Sequence, residues 1–116
     1  MTIERFEGTG RMSKAVRAGG VLYLCGQTSR DGGDVQAQTR DVLAKIEDLL
    51  NRYGSDKNHL LTATIYLKDM ADFAAMNEVW DAWVEDGCEP TRACVKAELA
   101  SPAILVEIVV SAAVKE

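Results

Sequence analysis

The chain has 116 residues, room for one domain around one core. Apolar residues make up 47% and charged residues 27%, an ordinary globular balance, and no run approaches the roughly 20 apolar residues of a bilayer-crossing helix. Thirteen basic against 18 acidic residues give a net charge of -5, which repels a phosphate backbone and argues against nucleic-acid binding.

The N-terminus, Met1 to Glu7, shows no positive region leading into an apolar one, so no secretory signal is visible and a cytoplasmic location is expected. Ile3 to Glu7 is expected as a first strand. Val21-Leu22-Tyr23-Leu24-Cys25, set between glycines, reads as a short buried strand. Arg30 to Asp34 holds Asp31-Gly32-Gly33, a turn. Val42, Leu43, Ile46, Leu49, Leu50 and Tyr53 then recur at the spacing of an amphipathic helix, and Gly54 is its natural stop.

Leu61, Ala63, Ile65 and Leu67 alternate with Thr62, Thr64 and Tyr66, a strand with unlike faces. Asp69 or Asp72 can cap a second helix with an apolar stripe of Phe73, Met76, Trp80, Trp83 and Val84, ended by Gly87. Arg92 to Leu99 alternates again. Ile104 to Val114 is apolar at nearly every position, as in a strand covered on both faces, with Glu107 its one charged interior member. The order β-β-α-β-α-β-β predicts an α+β layer, one sheet with two helices on one face. Two helices leave the other face bare, and in so short a chain another subunit is its simplest cover.

Three polar positions break these patterns. Asn77 sits inside the apolar stripe, where its amide needs partners: it either ties the helix to a neighbouring loop or serves a site. Glu107 must be paired, hydrogen-bonded or protonated, so a structural ion pair stands beside a chemical role. Arg92, after Glu89-Pro90-Thr91, is either a solvated arginine or a two-pronged carboxylate receptor. If segments 92–99 and 104–114 pair as an antiparallel hairpin, Arg92, Cys94 and Glu107 form one polar cluster, with Glu107 near a water. Cys25, Cys88 and Cys94 have no C-x-x-C spacing and read as reduced thiols. With the single His59, which follows a loop composition and reads as solvated, they offer too few ligands for a metal site.

Pro90-Thr91-Arg92-Ala93-Cys94-Val95, followed by Val106-Glu107-Ile108, resembles the signature of the YjgF/RidA family, formerly labelled L-PSP endoribonucleases. The resemblance extends to Ser13 to Val16, Val21 to Gln27, Gln38 to Arg40 and Asp72 to Asn77. Ala63 to Val84 is most similar to the YoaB-type subgroup. It implies a chorismate-mutase-like fold, a mixed sheet with two helices on one face, assembled as a trimer around a central barrel. It also implies an enamine/imine deaminase that takes small 2-imino carboxylates in a cleft between subunits, without metal or organic cofactor.

By the same resemblance Arg92 binds the substrate carboxylate and Glu107 stands near the attacking water. Cys94, Asn77, Gly26 and Cys25 line the pocket. Met12 departs from the family, whose best-studied deaminases carry an aromatic residue there; a thioether cannot donate a hydrogen bond. The Arg30–Asp34 loop is also short for the family. A second reading is therefore a trimeric module that binds small carboxylates without turning them over. A ribonuclease would rest on the old label alone.

Overall fold

Asp34 begins the first helix of the protein: its carboxylate accepts from the Ala37 N–H at 2.9 Å and caps α1, Val35–Arg52. The computed structural model describes residues 1–30 and 32–116. The turn expected over Arg30 to Asp34 includes Asp31, which lies outside the described residues. α1 starts well before Val42 because Gln38 and Thr39, buried on its inner face, are polar and hide the period. Both are satisfied. Gln38 donates to the carbonyls of Gly33 and Ala103 and accepts from the Leu105 N–H, while Thr39 donates to the Val35 carbonyl.

The strands are β1 (Ile3–Gly8), β2 (Ser13–Ala18), β3 (Val21–Leu24), β4 (Gln27–Thr28), β5 (Leu60–Leu67), β6 (Thr91–Lys96) and β7 (Val106–Ala113). α2 spans Phe73–Trp83. Of its two candidate caps, Asp69 bonds the Ala71 N–H within a preceding 3-10 turn. Asp72 occupies the N-cap of α2 without a side-chain bond. The helix stops at Trp83, ahead of Gly87.

The sheet runs β1-β2-β3-β7-β5-β6, with β4 also paired to β7. The hairpin expected between 92–99 and 104–114 does not form. β5 lies between them, parallel to β6 and antiparallel to β7. α2 is the reason: a helical crossover returns the chain parallel to the strand it left. After β6 the chain passes across the end of β5, marked by bonds from the Ala97 N–H to Leu67 and from the Lys68 N–H to Leu105.

Val42, Ile46, Leu50, Met76 and Trp80 of the helices pack on Leu22, Ile65, Leu67, Val106, Ile108 and Val110 of the sheet. Both helices lie on this one face. Burial alternates strictly along β7, so the expected two-sided covering is absent within one chain: Val106, Ile108, Val110 and Ala112 are buried, Glu107, Val109, Ser111 and Ala113 half-buried. The open face carries Tyr23, 51% exposed, and Val95, 45% exposed, with Thr62 and Ser111 sharing a 2.6 Å hydrogen bond. A thickness of 21 Å against 42 and 37 Å fits two layers.

The β1–β2 hairpin docks on the end of α1. Phe6 stacks on Tyr53 with ring centroids 4.4 Å apart, and Glu7 bonds Arg52 at 2.8 Å and the Tyr53 hydroxyl. Glu7 takes φ 53, a left-handed conformation rare outside glycine, to reach them.

Candidate functional site

Arg92 stands at the start of β6, the outermost strand, opposite Ala63 of β5. That register turns its side chain toward the helix face, where Nη1 donates to Asn77 Oδ1 at 2.8 Å. The guanidinium carbon lies 5.5 Å from the Trp80 ring centroid and 5.9 Å from that of Phe73. Asn77 and both aromatics come from α2, at spacings that share one helix face. The asparagine in the apolar stripe is thus an orienting partner for the arginine. Arg92 remains exposed, so guanidinium donors not engaged by Asn77 face outward.

Cys94, opposite Ile65, shares this face and is half-buried. Burial pushes its thiol above the ordinary range, and the nearby Arg92 charge offsets this only in part.

Glu107 lies elsewhere. It pairs with Thr28 of β4 and with Tyr66 of β5. Its carboxylate occupies the space beside Gly26, where an added β-carbon would collide with it. Glycine is required there for close approach rather than for an unusual backbone angle. Among the described residues Glu107 has no ion-pair partner, so the structural ion pair is not its role within the chain.

Cys25, Gly26 and Met12, together with Lys14, Arg30 and Lys45, line a depression of about 400 Å³ that reaches α1. Gln27 donates to Cys25 Sγ at 3.2 Å. Burial is the leading influence on the Cys25 thiol and raises it, against the Gln27 bond and the Lys14 charge. Both site thiols therefore stay protonated near neutral pH, which disfavours a thiolate nucleophile. Cys88 is a half-buried free thiol, and His59 pairs with Asp56 at 2.6 Å before β5.

The structure thus divides the expected residues into two separate groups. Arg92, Asn77 and Cys94 form one; Glu107, Gly26, Cys25 and Met12 form the other. The expected single cluster of Arg92, Cys94 and Glu107 does not exist within one chain. Ladder partners share a face and neighbours along a strand alternate, so Arg92 aligns with Ala63 and Val110, and Glu107 with Tyr66 and Val95. The two groups point to opposite sides of the sheet. Phe73 and Trp80 were absent from the expected site because aromatics at stripe positions read as core. Their i, i+4, i+7 alignment with Asn77 was the available signal. Lys14, Arg30 and Lys45 gave none, since isolated cations read as solvated surface.

A family profile described as endoribonuclease L-PSP matches residues 2–114. The RutC family protein YoaB of Escherichia coli is 44% identical over 98% of this chain and 100% of its own length. The chain belongs to the YjgF/RutC family. Another RutC family protein, from Haemophilus ducreyi, is 41% identical over 97% of both chains. The crystal structure of a YjgF family member from Neisseria meningitidis superposes with TM-score 0.97 at 49% identity, covering 100% of this chain and 98% of that one. A Mycobacterium tuberculosis member matches with TM-score 0.86 at 31% identity, over 97% of this chain and all of that one. The mixed sheet with both helices on one face is therefore the YjgF fold.

Proposed function

We propose that this YjgF protein hydrolyses small 2-imino acids, with their enamine tautomers, to 2-oxo acids and ammonia. The proposed site joins the Arg92 half of one subunit to the Glu107 half of a neighbour in a homotrimer. The observation that carries this reading is the restrained yet exposed Arg92 guanidinium, fixed by Asn77 over Trp80 and Phe73. A carboxylate meets such a fork through two parallel bonds, which orients the adjacent imine carbon. The opposed placement of the two groups supports a second subunit in the site, and the bare sheet face offers it a surface.

Free imines already hydrolyse in water, so orientation and one proton relay suffice. The unpaired Glu107 carboxylate takes a proton from water as its oxygen bonds to the imine carbon. The resulting carbinolamine carries hydroxyl and amine on one carbon. Glu107 hands that proton to the imine nitrogen as the carbinolamine forms, then takes the hydroxyl proton and delivers it to the amine. The carbonyl forms, the C–N bond breaks, ammonia leaves and the 2-oxo acid remains. One water is consumed and nothing is oxidised or reduced.

One observation favours the second reading, a binding module. Met12, 48% exposed and lining the depression beside Gly26, supplies no hydrogen-bond donor where catalytic relatives would place a phenol. The experiment is ammonia release from 2-iminopropanoate generated in situ, in wild type and Glu107→Gln. The amide keeps the shape and loses the base, so turnover should fall about 10²–10⁴-fold with assembly intact. Turnover unchanged in the folded variant excludes the water role, and no acceleration by wild type leaves the binding module.

A further inference from the structure

The depression beside Gly26 carries more positive charge than a simple imino acid needs. Three cations line it, Lys14, Arg30 and Lys45, in a chain of net charge -5. They are not equally free. Lys45 holds Asp41 at 3.2 Å and donates to the Thr28 carbonyl at 2.9 Å. Lys14 lies 3.8 Å from Glu7, a carboxylate already bonded by Arg52 at 2.8 Å and by Tyr53. Arg30 has no ion-pair partner among the described residues. With Lys45 held by Asp41, Glu107 beside Gly26 balances at most one of the remaining two cations, which leaves Lys14 and Arg30 with one positive charge between them as a surplus.

A substrate with one carboxylate leaves that surplus unused, because Arg92 already receives the carboxylate. We infer that the site is built for 2-imino acids with a second carboxylate on the side chain, one or two methylenes from the imine carbon, bound by Lys14 and Arg30. This rests on the deaminase reading and its two-subunit site. Met12 fits the same substrate: its thioether packs on the methylenes without competing for the carboxylates. The reaction is unchanged. Water oxygen bonds to C2, the C2–N bond breaks, and ammonia leaves a 2-oxo dicarboxylate.

The test compares kcat/KM for iminosuccinate and 2-iminopropanoate, each generated in situ by an amino-acid oxidase, in wild type and in a Lys14→Met/Arg30→Met double variant. Wild type should prefer iminosuccinate by about tenfold or more, and the preference should fall about ten- to a hundredfold in the variant, the effect of losing charge-assisted bonds. Lys14→Arg should retain the preference. Equal use of both imines by wild type, or a preference that survives the double variant, overturns the inference. A second measurement separates this failure from that of the deaminase reading: calorimetric binding of 2-oxoglutarate against 2-oxobutanoate. If neither imine is turned over, the deaminase reading falls. The tighter binding of the dicarboxylate, lost in the double variant, then still decides for the second anion site, and equal binding decides against it.

Discussion

Gly26 has no side chain, and the room beside its α-carbon belongs to the Glu107 carboxylate. Gly26→Ala should therefore separate folding from chemistry. The obstacle is the far end of a flexible side chain, so Glu107 can turn aside at a cost of about 1 kcal/mol or less. Thermal unfolding should barely move while imine turnover drops about 10²-fold, toward the level of Glu107→Gln. A variant that unfolds early instead would mean that the backbone gives way first. At Arg92 the expectation concerns shape rather than charge. Lysine keeps the cation but cannot hold Asn77 and a carboxylate together in one plane. Arg92→Lys should lose about 1.5–3 kcal/mol of transition-state binding, ten- to a hundredfold in kcat/KM, and approach Arg92→Ala. Near-wild-type activity in the lysine variant would show that attraction alone suffices. Arg92, Asn77 and Glu107 were legible in the sequence because each breaks an apolar pattern. Phe73 and Trp80 were not, because an aromatic beside a guanidinium and an aromatic in a core occupy the same helical period.

At the scale of elements, both helices and the strands around Leu22, Ile65 and Ile108 could be read from hydrophobic period. Their pairing could not. The 92–99 and 104–114 segments are separated by a short polar stretch, the usual mark of a hairpin, yet β5 takes the place between them. Local spacing carries no information about which edge a helical crossover will fill. β2 was equally hidden, since Lys14 and Arg17 interrupt its apolar residues. The β1–β2 hairpin offers a pH test of its own. The Tyr53 hydroxyl above all holds the Glu7 carboxyl below its ordinary range; desolvation, the next largest influence, opposes it, and Arg52 and Lys14 add to the lowering. A carboxylate lowered in the folded state adds stability above its unfolded pKa and loses it as pH falls through the folded one. The gap in melting temperature between wild type and Glu7→Gln should therefore be open at pH 7, begin to narrow as pH falls through the ordinary glutamate value of about 4.3, and close only at pH below it. A gap independent of pH would assign the hairpin's attachment to Phe6 stacking on Tyr53 instead.

For the whole molecule, the decisive quantity is the number of copies. A bare sheet face with Tyr23 and Val95 exposed, and half-sites on opposite sides, predict a stable trimer by sedimentation at micromolar concentration. A monomer that still turned over imines would refute the shared site. The opposition of Arg92 and Glu107 across one sheet also has a genetic consequence. Two inactive proteins should rescue each other. Arg92→Ala subunits retain a sound Glu107, and Glu107→Gln subunits retain a sound Arg92. Unfolded together and refolded as an equal mixture, they should place both intact groups at about a quarter of the subunit junctions and recover about a quarter of wild-type activity. The double variant, Arg92→Ala/Glu107→Gln, mixed with wild type should gain nothing in this way, because each mixed junction lacks one group or the other. Intragenic complementation, detectable in a cell carrying both single alleles, is thus written into the direction in which two side chains leave the same sheet.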